Sequence, residues 1–64
     1  MSAGEIIKYC RNKTGLTVKD LSKRSSIGES TIRSYESQNT DASWTKMEQL
    51  LKACGYRITI VKIK

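Results

Sequence analysis

The stretch that decides the fold is LTVKDLSKRSSIGESTIRSYE, at residues 16–36. Thr17, with Asp20 three residues later, is typical of a helix start, because a threonine side chain can accept a hydrogen bond from a first-turn amide. One helix is therefore predicted to begin after Thr17 and to end near Ser25. A second helix is predicted over about 29–37. The stretch indicates two short helices joined by a tight turn.

The apolar residues of this stretch predict which side of each helix is buried. Val18 and Leu21 belong to the first helix, Ile27 bridges the turn, and Ile32 and Tyr35 lie on one side of the second helix. The other side of the second helix is polar and mixes hydrogen-bond donors with acceptors. Its exposed positions are predicted to be Glu29, Ser30, Thr31, Arg33, Ser34 and Ser37.

A further helix is predicted before this stretch, from about Ala3 to Lys13. Ser2 and Glu5 have the spacing of a capping box, and Gly15 supplies a C-terminal stop. The predicted buried stripe of this helix consists of Ala3, Ile6, Ile7 and Cys10.

A fourth helix is predicted from about Trp44 to Ala53 and is closed by Gly55. An alternative start one residue later would use Thr45 and Glu48 as a capping box. The predicted apolar stripe consists of Trp44, Met47, Leu50, Leu51 and Cys54.

The aromatic residues could suggest base stacking on single-stranded nucleic acid. The helical spacing of Trp44 favours core packing instead, and Tyr35 is assigned to the core for the same reason. Tyr9 is left unassigned.

The final segment, YRITIVKIK at residues 56–64, is β-branched and alternating and therefore predicts a strand. The sequence offers no second strand for it to pair with, and an unpaired apolar strand is an aggregation hazard. Pairing with the same strand of a second molecule would give a two-fold dimer. The predicted interface residues are Tyr56 and Ile58, with Ile60, Val61 and Ile63.

The composition predicts a single small domain, residues 1–64, that binds nucleic acid. Twelve Lys and Arg residues oppose six Asp and Glu residues, which gives a formal net charge of +6. Such an excess of positive charge is typical of nucleic-acid binders but is not specific to them. A domain of this size has a marginal core, which is a further argument for a partner subunit.

The two cysteines, Cys10 and Cys54, are predicted to be reduced, buried thiols of a cytoplasmic protein. The sequence shows no signal peptide and no apolar run long enough for a membrane span. With no histidine and two distant cysteines, it predicts no zinc site, and no cofactor is expected.

The quoted stretch, with Tyr35-Glu36 at its end and Leu50–Tyr56 further along, resembles phage-repressor (Cro-like) helix-turn-helix regulators over about residues 5–56. The resemblance implies a mainly α, four-helix DNA-binding domain, and the C-terminal strand is similar to the dimerisation strands of small Cro repressors and antitoxins. Val18 and Ser22 depart from the glutamine and alanine common in the family. Ser26 stands at a turn position that is often glycine, which implies a left-handed backbone there.

The second helix of the motif is expected to enter the major groove and to touch base edges with its N-terminal residues. The predicted base-reading residues are Glu29, Ser30, Thr31, Arg33 and Ser34. Arg33 can donate two hydrogen bonds to guanine, or it can remain solvated or pair with Glu29 four residues away. Glu29 can accept from a cytosine amine, or it can simply favour the helix N-terminus.

Phosphate contacts are expected from polar residues around both ends of the motif, where free helix amides also suit anions. The predicted residues are Thr17, Lys19, Ser37, Asn39, Thr40, Ser43 and Lys46.

These features predict a sequence-specific double-stranded DNA-binding regulator, most simply a repressor that binds a palindromic operator as a homodimer. The alternative is an antitoxin-type protein that neutralises a partner toxin and represses its own operon. An enzyme is not expected, because the sequence lacks histidine, a metal cluster, a glycine-rich phosphate loop and paired carboxylates.

Overall fold

The computed structural model describes residues 2–38 and 41–63. Four helices follow one another along the chain: α1 (Ala3–Lys13), α2 (Val18–Ser25), α3 (Glu29–Gln38) and α4 (Trp44–Ala53). Three of them have the predicted bounds, and α3 extends one residue beyond the prediction. The agreement reflects start and stop signals that act within a few residues of each helix end.

Reciprocal capping boxes start α1 and α2, as predicted. The Ser2 hydroxyl oxygen accepts from the Glu5 amide at 3.2 Å, and the Glu5 carboxylate accepts from the Ser2 amide at 2.9 Å. In the same way, the Thr17 hydroxyl oxygen accepts from the Asp20 amide at 3.0 Å, and the Asp20 carboxylate accepts from the Thr17 amide at 3.1 Å. These backbone hydrogen bonds hold the pKa of both carboxyl groups below its ordinary value.

The helix α4 begins at Trp44, which rules out the alternative start one residue later. The hydroxyl oxygen of Ser43 caps this helix by accepting a hydrogen bond from the Lys46 amide at 3.2 Å. Thr45 is therefore an ordinary first-turn residue.

The turn after α2 has the left-handed backbone that the resemblance implied. Ser26 has a φ of 63°, and its amide closes the helix by donating to the Ser22 carbonyl at 2.9 Å. A non-glycine residue in this conformation costs about 1 kcal/mol. The buried Ser25 hydroxyl accepts from the Ile27 amide at 3.2 Å, which fixes the next step of the turn.

One hydrophobic cluster lies between the helices, with α1 and α2 each packed against both α3 and α4. Every helix contributes to it, and Ile27 joins from the turn between α2 and α3. The buried apolar residues are Ile7, Cys10, Leu21, Ile27, Ile32, Leu50, Leu51 and Cys54. Both cysteines are free and buried, as predicted, and burial raises the pKa of each thiol.

The α1 and α3 backbones approach each other closely at Gly4. A Cβ atom placed on Gly4 would overlap the backbone carbonyl group of Tyr35. Since backbone atoms cannot rotate away as a side chain can, glycine is the residue that lets the two helices reach this distance.

The prediction that Trp44 packs into the core is wrong, since its side chain is 53% exposed. Trp44 is the first residue of α4, and the apolar stripe of that helix meets the core only from Met47, one turn further along. The helical period identifies the side of a helix but not how far the core extends beneath it. Tyr35 does pack against the core, as predicted, and Tyr9 is exposed with the Lys13 ammonium 5.7 Å from its ring centre.

The C-terminal residues 56–63 form neither helix nor strand within the described chain. Ile58 packs against the core, but the apolar residues that follow do not: Ile60 is 82% exposed, Val61 75% and Ile63 99%. The predicted strand is thus not formed by a single chain. Among the described residues, no helix is both long enough and apolar enough to cross a membrane.

Candidate nucleic-acid interface

The helices α2 and α3 pack against each other, and each contributes a fully buried side chain to the hydrophobic cluster. Leu21 of α2 and Ile32 of α3 are both inaccessible to solvent, and Ile27 fills the turn between them at 4% exposure. The orientation of α3 relative to the rest of the chain is therefore set by core packing. Side chains on its outer surface are presented in fixed positions.

The outer surface of α3 carries the residues predicted to read bases. Ser30 and Arg33 are exposed, and Glu29, Thr31 and Ser34 are partly exposed. Ile32, between them in sequence, points into the core, as its spacing predicted. The five polar residues therefore share one accessible face that offers hydroxyl, guanidinium and carboxylate groups, which are the groups that bind base edges in the major groove.

Arg33 and Glu29 form an ion pair along this face. The Arg33 Nη2 atom lies 3.2 Å from Glu29 Oε1, and the two side chains are 63% and 43% exposed. This pairing is the alternative that the sequence left open for Arg33. Because an exposed pair of this kind is worth at most about 1 kcal/mol, both groups remain available for DNA.

Several of the predicted phosphate-contacting residues already form hydrogen bonds within the chain. The Thr17 and Ser43 oxygens accept capping bonds, which leaves each hydroxyl proton able to donate. Ser37 instead donates its proton to the Arg33 carbonyl at 2.7 Å. Lys19 and Lys46 are exposed. The two other predicted contacts, Asn39 and Thr40, lie outside the described residues.

A partly buried ion pair that supports this face was missed by the sequence analysis. Arg11 Nε and Nη2 donate to the two carboxylate oxygens of Glu36 at 2.8 and 2.9 Å, and Arg11 Nη1 donates to the Leu16 carbonyl at 2.9 Å. The hydrogen bond with Glu36 raises the pKa of Arg11. The signal was present, because Arg11 and Glu36 each follow a core residue, Ile7 or Ile32, by one helical turn.

The described residues include no group of three or more His, Cys, Asp or Glu side chains placed to hold a metal ion.

The family model described as Helix-turn-helix matches residues 7–61. The chain belongs to the Cro/C1-type helix-turn-helix family. It is thus a DNA-binding transcriptional regulator, and α2, the turn and α3 form its helix-turn-helix unit. In such units the second helix is the one that enters the major groove, and α3 is the second helix of this unit. No curated protein and no solved structure matches the chain.

Proposed function

We propose that this helix-turn-helix protein is a repressor that binds a palindromic operator as a homodimer. The observation that carries the proposal is the polar face of α3, held in place by the burial of Leu21 and Ile32 in one hydrophobic cluster. Occupation of a site that overlaps a promoter is enough to block polymerase, so repression needs no further surface. Residues 1–64 act as one DNA-binding unit, with 56–64 as its dimerisation segment.

Sequence reading is assigned to the N-terminal half of α3. Arg33 donates two hydrogen bonds to a guanine, and Glu29 accepts from a cytosine amine. The pair they form in the free protein opens on binding. The hydroxyl groups of Ser30, Thr31 and Ser34 complete the contacts to base edges or nearby phosphates.

Backbone contacts are assigned to both ends of the unit. At the start of α2, Thr17 is the N-cap and Lys19 is exposed in the first turn, and free amides at a helix N-terminus suit a phosphate. At the start of α4, Ser43 is the N-cap and Lys46 is exposed in the first turn. The remaining proposed contacts are Asn39, Thr40 and Ser37, whose hydroxyl group exchanges its bond to the Arg33 carbonyl for one to a phosphate.

The dimer is assigned to the C-terminal segment because the apolar surface there has no partner in its own chain. Ile60, Val61 and Ile63 are exposed, and Tyr56 is 39% exposed. An apolar groove between α1 and α4 lies beside this segment. The groove is lined by Ala3, Ile6, Trp44, Met47, Leu51 and Ile58.

A second copy of the chain would cover both the exposed apolar residues of the C-terminal segment and the apolar groove. Two-fold symmetry places the segment of each copy against the other, so that the strands pair and the apolar residues cover the neighbouring groove. The half-exposed Trp44 then becomes part of the interface. To bind two half-sites, the α3 helices of this dimer must lie about 34 Å apart, one helical turn of DNA.

The test is a selection of bound duplexes from a random pool at about 0.15 M salt, where weak backbone attraction is screened. An inverted repeat with half-sites one helical turn apart is expected. Insertion of the recovered sequence at a reporter promoter should then lower expression only when the protein is present. Recovery of duplexes without a shared sequence would contradict the proposal and favour a protein-interaction role.

A further inference from the structure

An open cleft of about 430 Å³ lies where α1, α2 and α3 meet. Its lining residues are Lys8, Arg11, Val18, Arg33, Glu36 and Ser37. Three of these, Arg33, Glu36 and Ser37, come from α3, the helix that carries the proposed base-reading face. The cleft therefore borders the surface that enters the major groove.

Among the described residues, one of the cations that line the cleft has no partner. Arg11 is held by both oxygens of Glu36, and Arg33 lies against Glu29. Lys8 is exposed, and within the described residues its ammonium makes neither a hydrogen bond nor an ion pair. The cleft is thus positively charged, and the Lys8 ammonium is the group free to bind an anion.

The geometry of a helix in DNA indicates which anion would reach this position. A helix with its side chains is about 10–12 Å across, and the major groove is about 12 Å wide. When α3 fills the groove, the phosphates that border it must lie against the elements beside α3. Val18, the residue that α2 contributes to the cleft, has an apolar side chain that carries no charge. Since Arg11 and Arg33 are each paired with a glutamate, the cation left for a phosphate here is Lys8 of α1.

We propose that the Lys8 ammonium binds a backbone phosphate of the DNA strand that borders the α3 groove. The contact fixes the depth and angle of docking and carries no sequence information. This inference rests on the proposed DNA-binding function but assigns a position on α1 that the helix-turn-helix unit does not include. It makes the first helix part of the DNA-binding surface.

The test compares Lys8→Gln with Lys52→Gln, which removes the same charge from the last turn of α4, where Lys52 lines a different depression with Arg24 and Gln49. Dissociation constants are measured from about 50 to 200 mM salt on the selected operator and on a scrambled duplex. Loss of one phosphate contact lowers the slope of log K against log salt by about 0.9. Because the proposed dimer carries two copies of Lys8, the slope changes by about 1.8 for each bound dimer, and the advantage of wild type over Lys8→Gln should shrink about twelvefold across this range.

For Lys8→Gln, the slope of log K against log salt is expected to fall by the same amount on the operator and on the scrambled duplex. Lys52→Gln is expected to keep the wild-type slope. Lys8→Arg keeps the positive charge and should restore the slope. The urea midpoint of each variant is measured alongside, and it should not change for exposed lysines. An unchanged slope for Lys8→Gln, or an equal reduction for both glutamine variants, would overturn the proposal.

A failure of the proposed function gives a different result. Wild-type protein that does not distinguish the operator from the scrambled duplex contradicts sequence-specific regulation. The slope comparison on the scrambled duplex then still decides whether Lys8 contacts a phosphate.

Discussion

Arg11 and Glu36 join α1 to α3 through two hydrogen bonds of 2.8 and 2.9 Å, with only 15% and 9% of their side chains exposed. A third bond from Arg11 reaches the Leu16 carbonyl in the segment before α2. One guanidinium therefore connects the three parts of the chain that determine where α3 points. Two-point pairing of this kind fixes orientation as well as distance.

Glu36→Gln is expected to lower the free energy of unfolding by about 3 kcal/mol, because it leaves the Arg11 charge buried without a counter-charge. Glu29→Gln removes the same charge from the exposed pair with Arg33 and should cost less than about 1 kcal/mol. Urea unfolding of both variants gives the comparison. If both variants lose the same free energy of unfolding, burial of the Arg11–Glu36 pair adds nothing to stability.

Gly4→Ala is expected to destabilise the fold by about 1–3 kcal/mol, the usual cost of overpacking. The added methyl group would overlap the Tyr35 carbonyl, so α1 and α3 must separate. Gly28→Ser is the control: an added Cβ there would have only the Thr31 hydroxyl oxygen nearby, at 4.0 Å, and the backbone does not require glycine. Thermal unfolding should show a lower midpoint for Gly4→Ala alone.

Arg33→Ala is expected to relax specificity at one base position and to weaken operator binding by about 1–3 kcal/mol. Arg24→Ala removes the same charge from the exposed last turn of α2 and should keep the base preference. The duplex selection is repeated with each variant. An unchanged site preference in Arg33→Ala would remove Arg33 from the set of base-reading residues.

Trp44, the single tryptophan of the chain, reports directly on the proposed dimer. Its half-exposed indole lies in the groove, so fluorescence emission should move to shorter wavelength as the protein concentration rises and the dimer forms. Ile60→Lys should abolish the shift and give monomers in sedimentation. Thr59→Lys places the same charge on the neighbouring exposed residue and should preserve the dimer. If a soluble quencher still reduces Trp44 fluorescence in the dimer, the interface must lie elsewhere on the protein.

The sequence predicted those features that depend on neighbouring residues. The boxes at Ser2 and Thr17 and the left-handed Ser26 act within a few residues, so the helix bounds followed from local pattern. The Arg11–Glu36 pair spans 25 residues of sequence and appears only when α1 crosses α3. The close approach at Gly4 depends on the same crossing.

The sequence predicted which residues form the candidate site, but it predicted their hydrogen bonds and neighbours only in part. The spacing of Ile32 established which side of α3 is exposed, because helical period determines the side on which a residue lies. It did not show that Ser37 already donates its proton to Arg33, or that Lys8 of α1 lies beside the same face. The prediction that Trp44 packs into the core was wrong for a related reason, since its exposure depends on where the core ends.

The charge of α3 differs in sign from that of the whole chain. Residues 29–38 contain one arginine and two glutamates, whereas the chain has a net charge of +6. Long-range attraction to DNA, which drives sliding and hopping along non-specific sequence, therefore arises from the other elements. Under the proposed function, search and recognition are therefore carried by separate parts of the molecule. Exchange of the outer residues of α3 could redirect the protein to a new site without altering the speed at which it scans DNA.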